Sequence, residues 1–414
     1  MADTTTVHAP VQSKWLNRKT PPHIITLVLI AGIGALNMNI YLPSLPSMAT
    51  WFATDYATVS LAISAYLGVT ALLQIFIGPL SDRYGRRPVM LVSLGVFVLA
   101  TVGCLLAQSI EAFLAFRFLQ AVIASGMVLS RAVVRDMVGP DRAASMIGYV
   151  TMGMSVVPMI GPTLGGQLEY FFGWHGSVAF LIAAGLGMFY VVWADMGETN
   201  HTRSASFGAQ FAAYPELLTS RRFWGYALVA AFASGAFFAL LGGGPFVATV
   251  ILGLSPAAFG LYFALIAFGY MIGNFLSGRY AAQVGLDRMM LIGATTAVSG
   301  AALSILLFGI GLSHPMALFG PMFLVGMGNG LTLPSANAGM VSVRPHLSGS
   351  ASGLGGALMI GGGAALSAIT GALLSVESGV WPLLFMMLGA AGLSAVSAIY
   401  VIRRSRVVAP LPAE

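Results

Sequence analysis

Residues 78–88 read "GPLSDRYGRRP". Gly78 and Gly85, seven positions apart, bracket an acid and a cluster of arginines. On either side lie apolar runs, 58–80 and 88–108, each long enough to cross a ~30 Å hydrocarbon layer as a helix rising ~1.5 Å per residue. A connection of about eight residues between two such helices must turn back tightly, and glycine supplies the backbone freedom for that turn. Asp82 can accept hydrogen bonds at a helix N-terminus, where the macrodipole favours an anion. Arg83, Arg86 and Arg87 stay at the membrane surface and can pair with acids there. The stretch reads as a charged hairpin joining two membrane helices.

The rest of the chain agrees. Of 414 residues, 57% are hydrophobic and 8% charged, with a mean hydropathy of +0.88. A soluble domain cannot bury that much apolar surface, so the bilayer is the expected solvent. The abundant glycines (51) and methionines (22) suit close helix packing and adaptable surfaces in lipid. One cysteine, Cys104, supports neither a disulfide framework nor a zinc site. The polar first ~20 residues carry no cleavable signal pattern.

Spans are expected at 24–46, 58–80, 88–108, 111–133, 145–168 and 174–194, and again at 223–247, 257–281, 289–311, 315–339, 350–374 and 379–402. With the loops numbered in order, the lysines and arginines other than Arg117 are assigned to the tails and even-numbered loops. The odd loops hold Asp55, Glu111, Glu169, His175, His314 and Glu377, and no basic residue. The positive-inside rule then puts both termini and the middle loop on the cytoplasmic side. The net charge of +6 follows this alternation, which argues against a nucleic-acid partner.

The polar segment 195–222 divides the spans six and six. The expected organisation is a tail (1–23), a six-helix bundle (24–194), a linker (195–222), a second bundle (223–402) and a tail (403–414). "GRYAAQVGLDRMML" after the eighth span echoes the stretch after the second, with Gly278 and Gly285 again seven apart. The fold class is therefore all-α and polytopic: twelve helices in two pseudo-symmetric bundles with a path between them.

The string 78–88, placed after the second of twelve spans, resembles the signature loop of the major facilitator superfamily, G-x-L-x-D-R-x-G-R-R. The resemblance implies that this loop latches the two halves. Asp82 would face the start of the eleventh helix near Ser350, and Arg86 would pair with Asp136 at the end of the fourth. "PMIGPTLGG", with Pro158, Gly161, Pro162, Gly165 and Gly166, resembles the antiporter motif of the fifth helix. There Pro162 removes a backbone donor and kinks the helix, and the glycines permit backbone contact between halves. With "FLAFRFLQAV", "IYLPSLP" and "VVRD", the chain resembles the Bcr/CflA group of drug/proton antiporters, which includes phenicol and bicyclomycin exporters.

Arg117 lies about six residues, or ~9 Å, inside the fourth span. An intramembrane arginine costs at least ~2.5 kcal/mol to insert, so it is expected to face a cavity and a partner. Gln120, one turn on, extends the polar stripe. Asn39 in the first span shares the depth of Arg117, and contact between the two is expected. In the resembling group an aspartate commonly precedes "IYLP" and is thought to carry the proton; here Asn39 stands there, and an amide cannot titrate. By these boundaries all 13 acids fall in tails, loops or helix ends. Three readings follow: coupling through a peripheral acid (Asp55, Glu111 or Asp136), neutralisation of Arg117 by an anionic substrate, or uncoupled facilitation.

Candidate cavity residues are Asn37, Asn39, Tyr41, Tyr66, Gln74, Arg117 and Gln120 from the first half. Phe237, Phe238, Tyr262, Tyr270, Asn274, Asn329 and Asn337 come from the second, with Met152 and Met154 as soft contacts. The expected function is proton-driven export of small amphipathic drugs across a bacterial inner membrane by alternating access, performed by a monomer without a cofactor. The alternatives are a carrier for a small anionic metabolite anchored by Arg117, and a membrane sensor that does not transport. The absence of a G-x-x-x-x-G-K-[ST] string disfavours ATP-driven pumping.

Overall fold

The computed structural model describes residues 13–138, 146, 150, 157, 160–200, 214–344 and 347–408. The described secondary structure is helical, and eleven described segments are long and apolar enough to cross a membrane. The fifth span is described as a helix over 160–172, so Pro158, Met152 and Met154 lie outside the described residues.

Several spans differ from the simple rods that hydropathy suggests. The first breaks into α1 (Ile24–Asn39), a 3-10 turn (Leu42–Ser44) and α2 (Leu45–Trp51). Pro43 and Pro46 lack backbone donors, which interrupts the helical ladder there. The second and third are α3 (Tyr56–Tyr84) and α4 (Arg86–Leu106). The fourth is α5 (Ile110–Leu119), a 3-10 segment (Gln120–Ala124) and α6 (Ser125–Met137). The described part of the fifth is α7 (160–172), and the sixth is α8 (Trp174–Asp195). A short helix, α9 (Tyr214–Leu218), lies in the middle linker.

The second half follows as α10 (Arg221–Phe246), continued by a π turn (Val247–Ile251), then α11 (Pro256–Val284) and α12 (Leu286–Gly309). α13 (Pro315–Ser342), α14 (Ser348–Leu373) and α15 (Trp381–Val408) complete it. The last helix runs six residues past the expected end at 402.

The faint sequence echo has a structural counterpart. α3 and α11 are each 29 residues long, each begins at an N-cap side chain (Asp55 and Ser255), and each ends at a glycine with positive φ. Gly85 has φ +101° and Gly285 φ +89°, conformations open to glycine at little cost. At Gly85 an added methyl would also run into the Glu198 carboxylate.

Asp55 accepts from the Thr58 backbone N–H at 2.6 Å, and that bond holds its carboxyl below the ordinary aspartate range. A depressed folded-state value means the contribution is present above the unfolded value and is lost as pH falls through the folded one. Asp55→Ala should cost about 1 kcal/mol, as for other N-caps, whereas Asp55→Asn should be nearly neutral at pH 7. Melting curves of both variants at pH 7 and pH 3 check this, and the gap between wild type and Asp55→Asn should shift over that interval.

Inside the second half, Gly269 and Gly273 on α11 face Gly326 and Gly330 on α13. A Cβ at any of the four would strike a backbone carbonyl of the partner helix, at Phe323, Met327, Ile266 and Tyr270 respectively. This is small-residue packing of the kind lipid-embedded helices use when no hydrophobic effect drives them together.

The halves meet most closely at the end carrying Tyr56. The Tyr56 hydroxyl donates to the Gly242 carbonyl at 2.7 Å, and Thr163 Oγ1 donates to the Gly260 carbonyl at 2.9 Å. A Cβ on Gly166 would strike the Pro256 carbonyl, one on Gly260 the Pro162 carbonyl, and one on Gly371 the Ser60 hydroxyl. Along the α3–α14 seam toward the Gly85 end the fit loosens. A methyl on Gly361 would sit 3.9 Å from Ala71, and one on Gly356 would sit 3.5 Å from Gln74.

Candidate functional site

Arg117 is the largest fully buried side chain of the described residues. Its Nε donates to the Ala62 carbonyl at 3.0 Å, and Nη2 donates to the Asn37 carbonyl at 2.9 Å. Nη1 donates to Asn37 Oδ1 at 2.8 Å and to Gln120 Oε1 at 2.7 Å. The guanidinium lies between two aromatic faces, 4.4 Å from the Tyr41 ring and 4.1 Å from the Tyr66 ring. A buried cation is thus solvated by amides, carbonyls and π faces, and none of these partners carries a negative charge.

Local structure explains how the groups converge. The 3-10 segment beginning at Gln120 tightens the helix immediately after Arg117, and i,i+3 side chains nearly eclipse in that geometry. Gln120 is held in turn, its Nε2 donating to Thr101 Oγ1 at 2.9 Å, and Thr101 donates to the Phe97 carbonyl at 2.6 Å. Asn37 Nδ2 donates to the Tyr66 hydroxyl at 3.1 Å. The network therefore ties α1, α3, α4 and α5 together.

The expected partner of Arg117 was Asn39, and the structure corrects this to Asn37. Two positions along an α-helix are about 200° apart, so only one of the pair can face the fourth span. Asn39 turns toward the fifth: its Cβ would be 3.0 Å from a methyl on Gly161. Its Nδ2 donates to the Ala35 carbonyl at 2.7 Å, while its buried Oδ1 has no partner among the described residues. Arg117 also exposes no surface in this conformation, so it cannot touch a substrate here.

At the Gly85 end, Arg86 reaches Asp136 (Nε, 2.9 Å), Asp82 (Nη1, 2.5 Å) and the Ser81 hydroxyl (2.5 Å). Among the described residues no hydrogen bond or ion pair joins Asp82 to α14. The acceptor at the N-terminus of α4 is another residue, which the sequence reading missed. Glu198, just beyond α8, takes the backbone N–H groups of Arg86 (2.9 Å), Arg87 (3.3 Å), Thr199 (3.0 Å) and Asn200 (2.9 Å). An anion there meets the positive end of the helix dipole. Asn200 Nδ2 donates to the Asp82 carbonyl at 2.9 Å and Thr199 Oγ1 to Asp136 at 3.2 Å, so the start of the linker is bound to the latch loop. Arg83 carries out a contact of its own on the exposed face, near the Tyr84 ring at 5.5 Å.

The remaining candidates separate. Gly78 accepts from the Ser81 hydroxyl through its carbonyl at 2.8 Å, inside the last turns of α3. Gly165 packs within the first half, where a Cβ would strike the Ile40 carbonyl; Gly166 packs across the halves against Pro256. Asn329 is buried, and its Oδ1 has no partner among the described residues; Asn274 donates to the carbonyl of Tyr270 at 2.8 Å. Among the acids, Asp55 and Glu111 are exposed at helix starts and Asp136 is engaged by Arg86. Glu169, read from sequence as a loop acid, is half-buried on α7; its Oε1 accepts from Ser47 at 2.6 Å, and its Oε2 is buried without a partner among the described residues.

The sequence model of the Major Facilitator Superfamily matches residues 27–359 and 251–414. The chain is 31% identical to a chloramphenicol resistance protein of Pseudomonas aeruginosa, over 89% of this chain and 88% of that protein. It is 29% identical to a bicyclomycin resistance protein homolog of Haemophilus influenzae (91% and 95%) and 27% identical to multidrug resistance protein D of Escherichia coli (88% and 92%). Among solved structures, a peptide transporter bound to alafosfalin superposes with a TM-score of 0.74 at 14% identity, covering 98% of this chain and 99% of that one. A bacterial homolog of the lysosomal transporter Spinster, inward-facing and unoccupied, gives 0.70 at 17% identity, covering 94% and 98%. Two duplicated bundles, the signature loop and full-length similarity to such relatives converge: this chain is a multi-pass membrane transporter of the major facilitator superfamily, in its Bcr/CflA-type group.

Proposed function

We propose that the protein exports small amphipathic drugs across a bacterial inner membrane by alternating access, driven by the proton gradient. The observation that carries this is the asymmetry of the half–half seam: sealed by backbone contacts at the Tyr56 end and loose toward Gly85. With both termini cytoplasmic, as the distribution of basic residues argues, this is the inward-facing state, ready to load from inside. The names of the relatives, which speak of resistance to chloramphenicol, bicyclomycin and multiple drugs, support drugs as cargo. A single copy contains both halves and the path between them, so a monomer suffices.

A second reading, a carrier of small anionic metabolites, draws support from one fact: among the described residues no acid neutralises Arg117, and its partners are all neutral. The test is retention of labelled chloramphenicol in efflux-deficient bacteria expressing the chain, with and without a protonophore. Lower retention that the protonophore restores is the expected result. Retention equal to that of cells lacking the protein, with the protein present in the membrane, overturns export and favours the anion carrier.

A further inference from the structure

Arg18 and Arg87 reach the same residue from segments far apart in the chain. Arg87, on the first turn of α4, donates from Nη2 to the Trp193 carbonyl at 3.1 Å. Arg18, in the segment before α1, lies over the Trp193 ring with its Cζ 5.8 Å from the centroid. Trp193 stands in the last turn of α8, so the Arg87 cation also meets the negative end of that helix. Both contacts leave most of the guanidinium donors unused. Among the described residues the Arg18 side chain makes no hydrogen bond or ion pair, and the buried Arg87 Nε has no partner.

Neither nearby acid answers them. Asp195 is fully buried and accepts from the Leu16 N–H (2.6 Å), the His23 N–H (2.9 Å) and the Thr26 hydroxyl (2.7 Å). Glu198 is occupied by four backbone N–H groups. The Asp195 bonds hold the segment before α1 against the end of α8, and a Cβ on Gly197 would strike the carbonyls of Arg18 and Thr20. The backbone of Arg18 is thus fixed, and its side chain is exposed.

α8 packs on α4 and α1 of its own half. It exposes Ala183, Leu186, Tyr190 and Trp193, spaced three or four apart and therefore on one face. Beside them, a methyl on Gly187 would meet nothing within 4 Å. Such a face on a membrane helix meets acyl chains. The Tyr190 and Trp193 rings, 6.2 Å apart, are the kind that settle at headgroup depth. An apolar stripe therefore ends at an interfacial tryptophan that carries two cations, which is the order of a lipid molecule: chain, then phosphate. Guanidinium groups offer paired donors to phosphate oxygens, and basic clusters on the cytoplasmic side attract anionic headgroups.

We propose that Arg18 and Arg87 form a headgroup site for one anionic phospholipid of the cytoplasmic leaflet, with its phosphate at the two guanidiniums and an acyl chain along Tyr190 and Leu186. The site is independent of what the carrier exports.

Native mass spectrometry of the purified full chain tests this, with phosphatidylglycerol or phosphatidylcholine of the same acyl chains added, and inorganic phosphate as competitor. The wild type is expected to bind one phosphatidylglycerol at least tenfold more tightly than phosphatidylcholine. Arg18→Ala removes an exposed side chain whose contact is a ring face, so the fold should stay intact. Its phosphatidylglycerol affinity should fall about tenfold, the loss of one charge-assisted contact, and Arg18→Lys should restore part of it. Arg87→Ala should act in the same direction. Arg279→Ala is the control: that arginine is exposed and lies 5.8 Å from the ring of its own neighbour Tyr280, and its loss should leave lipid binding as in wild type. Equal binding of the two lipids, an unchanged affinity in Arg18→Ala, or the same loss in Arg279→Ala overturns the proposal. Displacement of the lipid by equimolar inorganic phosphate also overturns it, since that marks a site for free anions.

Discussion

Arg117→Ala is expected to abolish transport and also to lower the melting temperature of the purified protein by roughly 5–10 °C, since about 1 kcal/mol moves the midpoint of a chain this size by a few degrees. The sequence alone suggests a residue that could be removed without harm to the fold. The structure changes that expectation. Truncation strips the donors from Asn37 Oδ1, Gln120 Oε1 and the carbonyls of Ala62 and Asn37, all fully buried residues. Each stranded acceptor costs about 1–3 kcal/mol, and the two tyrosine rings lose the cation between them. Some relaxation offsets part of that sum, so a net loss on the order of 3 kcal/mol is expected. Arg117→Lys keeps the charge, but a point-like ammonium cannot reach Ala62, Asn37 and Gln120 together, and an intermediate melting point should result. Thermal unfolding in detergent, followed by intrinsic fluorescence, decides. A wild-type midpoint for Arg117→Ala would mean that the network does not hold these helices.

The second large effect is expected at Gly166. Gly165 and Gly166 are neighbours in one motif, yet they serve different contacts: the first faces Ile40 within its own half, the second Pro256 of the other half. Gly166→Val puts a branched side chain where the Pro256 carbonyl lies, so the Tyr56 end cannot close. Each half keeps its own core, and the melting temperature should stay within a few degrees of wild type. Transport should fall at least tenfold, because a carrier that cannot reach one of its two states does not cycle. Spin-label distances across the Tyr56 end should widen in the variant. Gly187→Ala, where an added methyl meets nothing within 4 Å, is the control and should behave as wild type. Normal transport by Gly166→Val would show that the seam opens elsewhere.

Much of the architecture was legible in the chain. Span lengths, the alternation of basic loops and the paired glycines at 78/85 and 278/285 are one-dimensional signals, because the bilayer imposes its thickness and its polarity on each segment separately. The deep arginine was legible for the same reason: a charge in an apolar run stands out whatever surrounds it. What hydropathy could not register were the breaks at Leu42–Ser44 and Gln120–Ala124, since a 3-10 turn and an α-turn of equal apolarity look alike in sequence.

The contacts were another matter. Depth along a helix can be counted, but azimuth cannot: Asn37 and Asn39 lie at nearly the same depth, and the rotation of α1 against its neighbours alone decided that Asn37 meets Arg117. Glu198 reached the N-terminus of α4 from more than a hundred residues away, a meeting that no local pattern encodes. The sequence by itself determined a twelve-helix carrier of this superfamily and a buried cation without its acid. Only the tertiary structure decided that this arginine is walled in by Asn37, Gln120 and two tyrosines, because exposure inside a membrane protein depends on how helices are rotated and spaced, not on what they are made of.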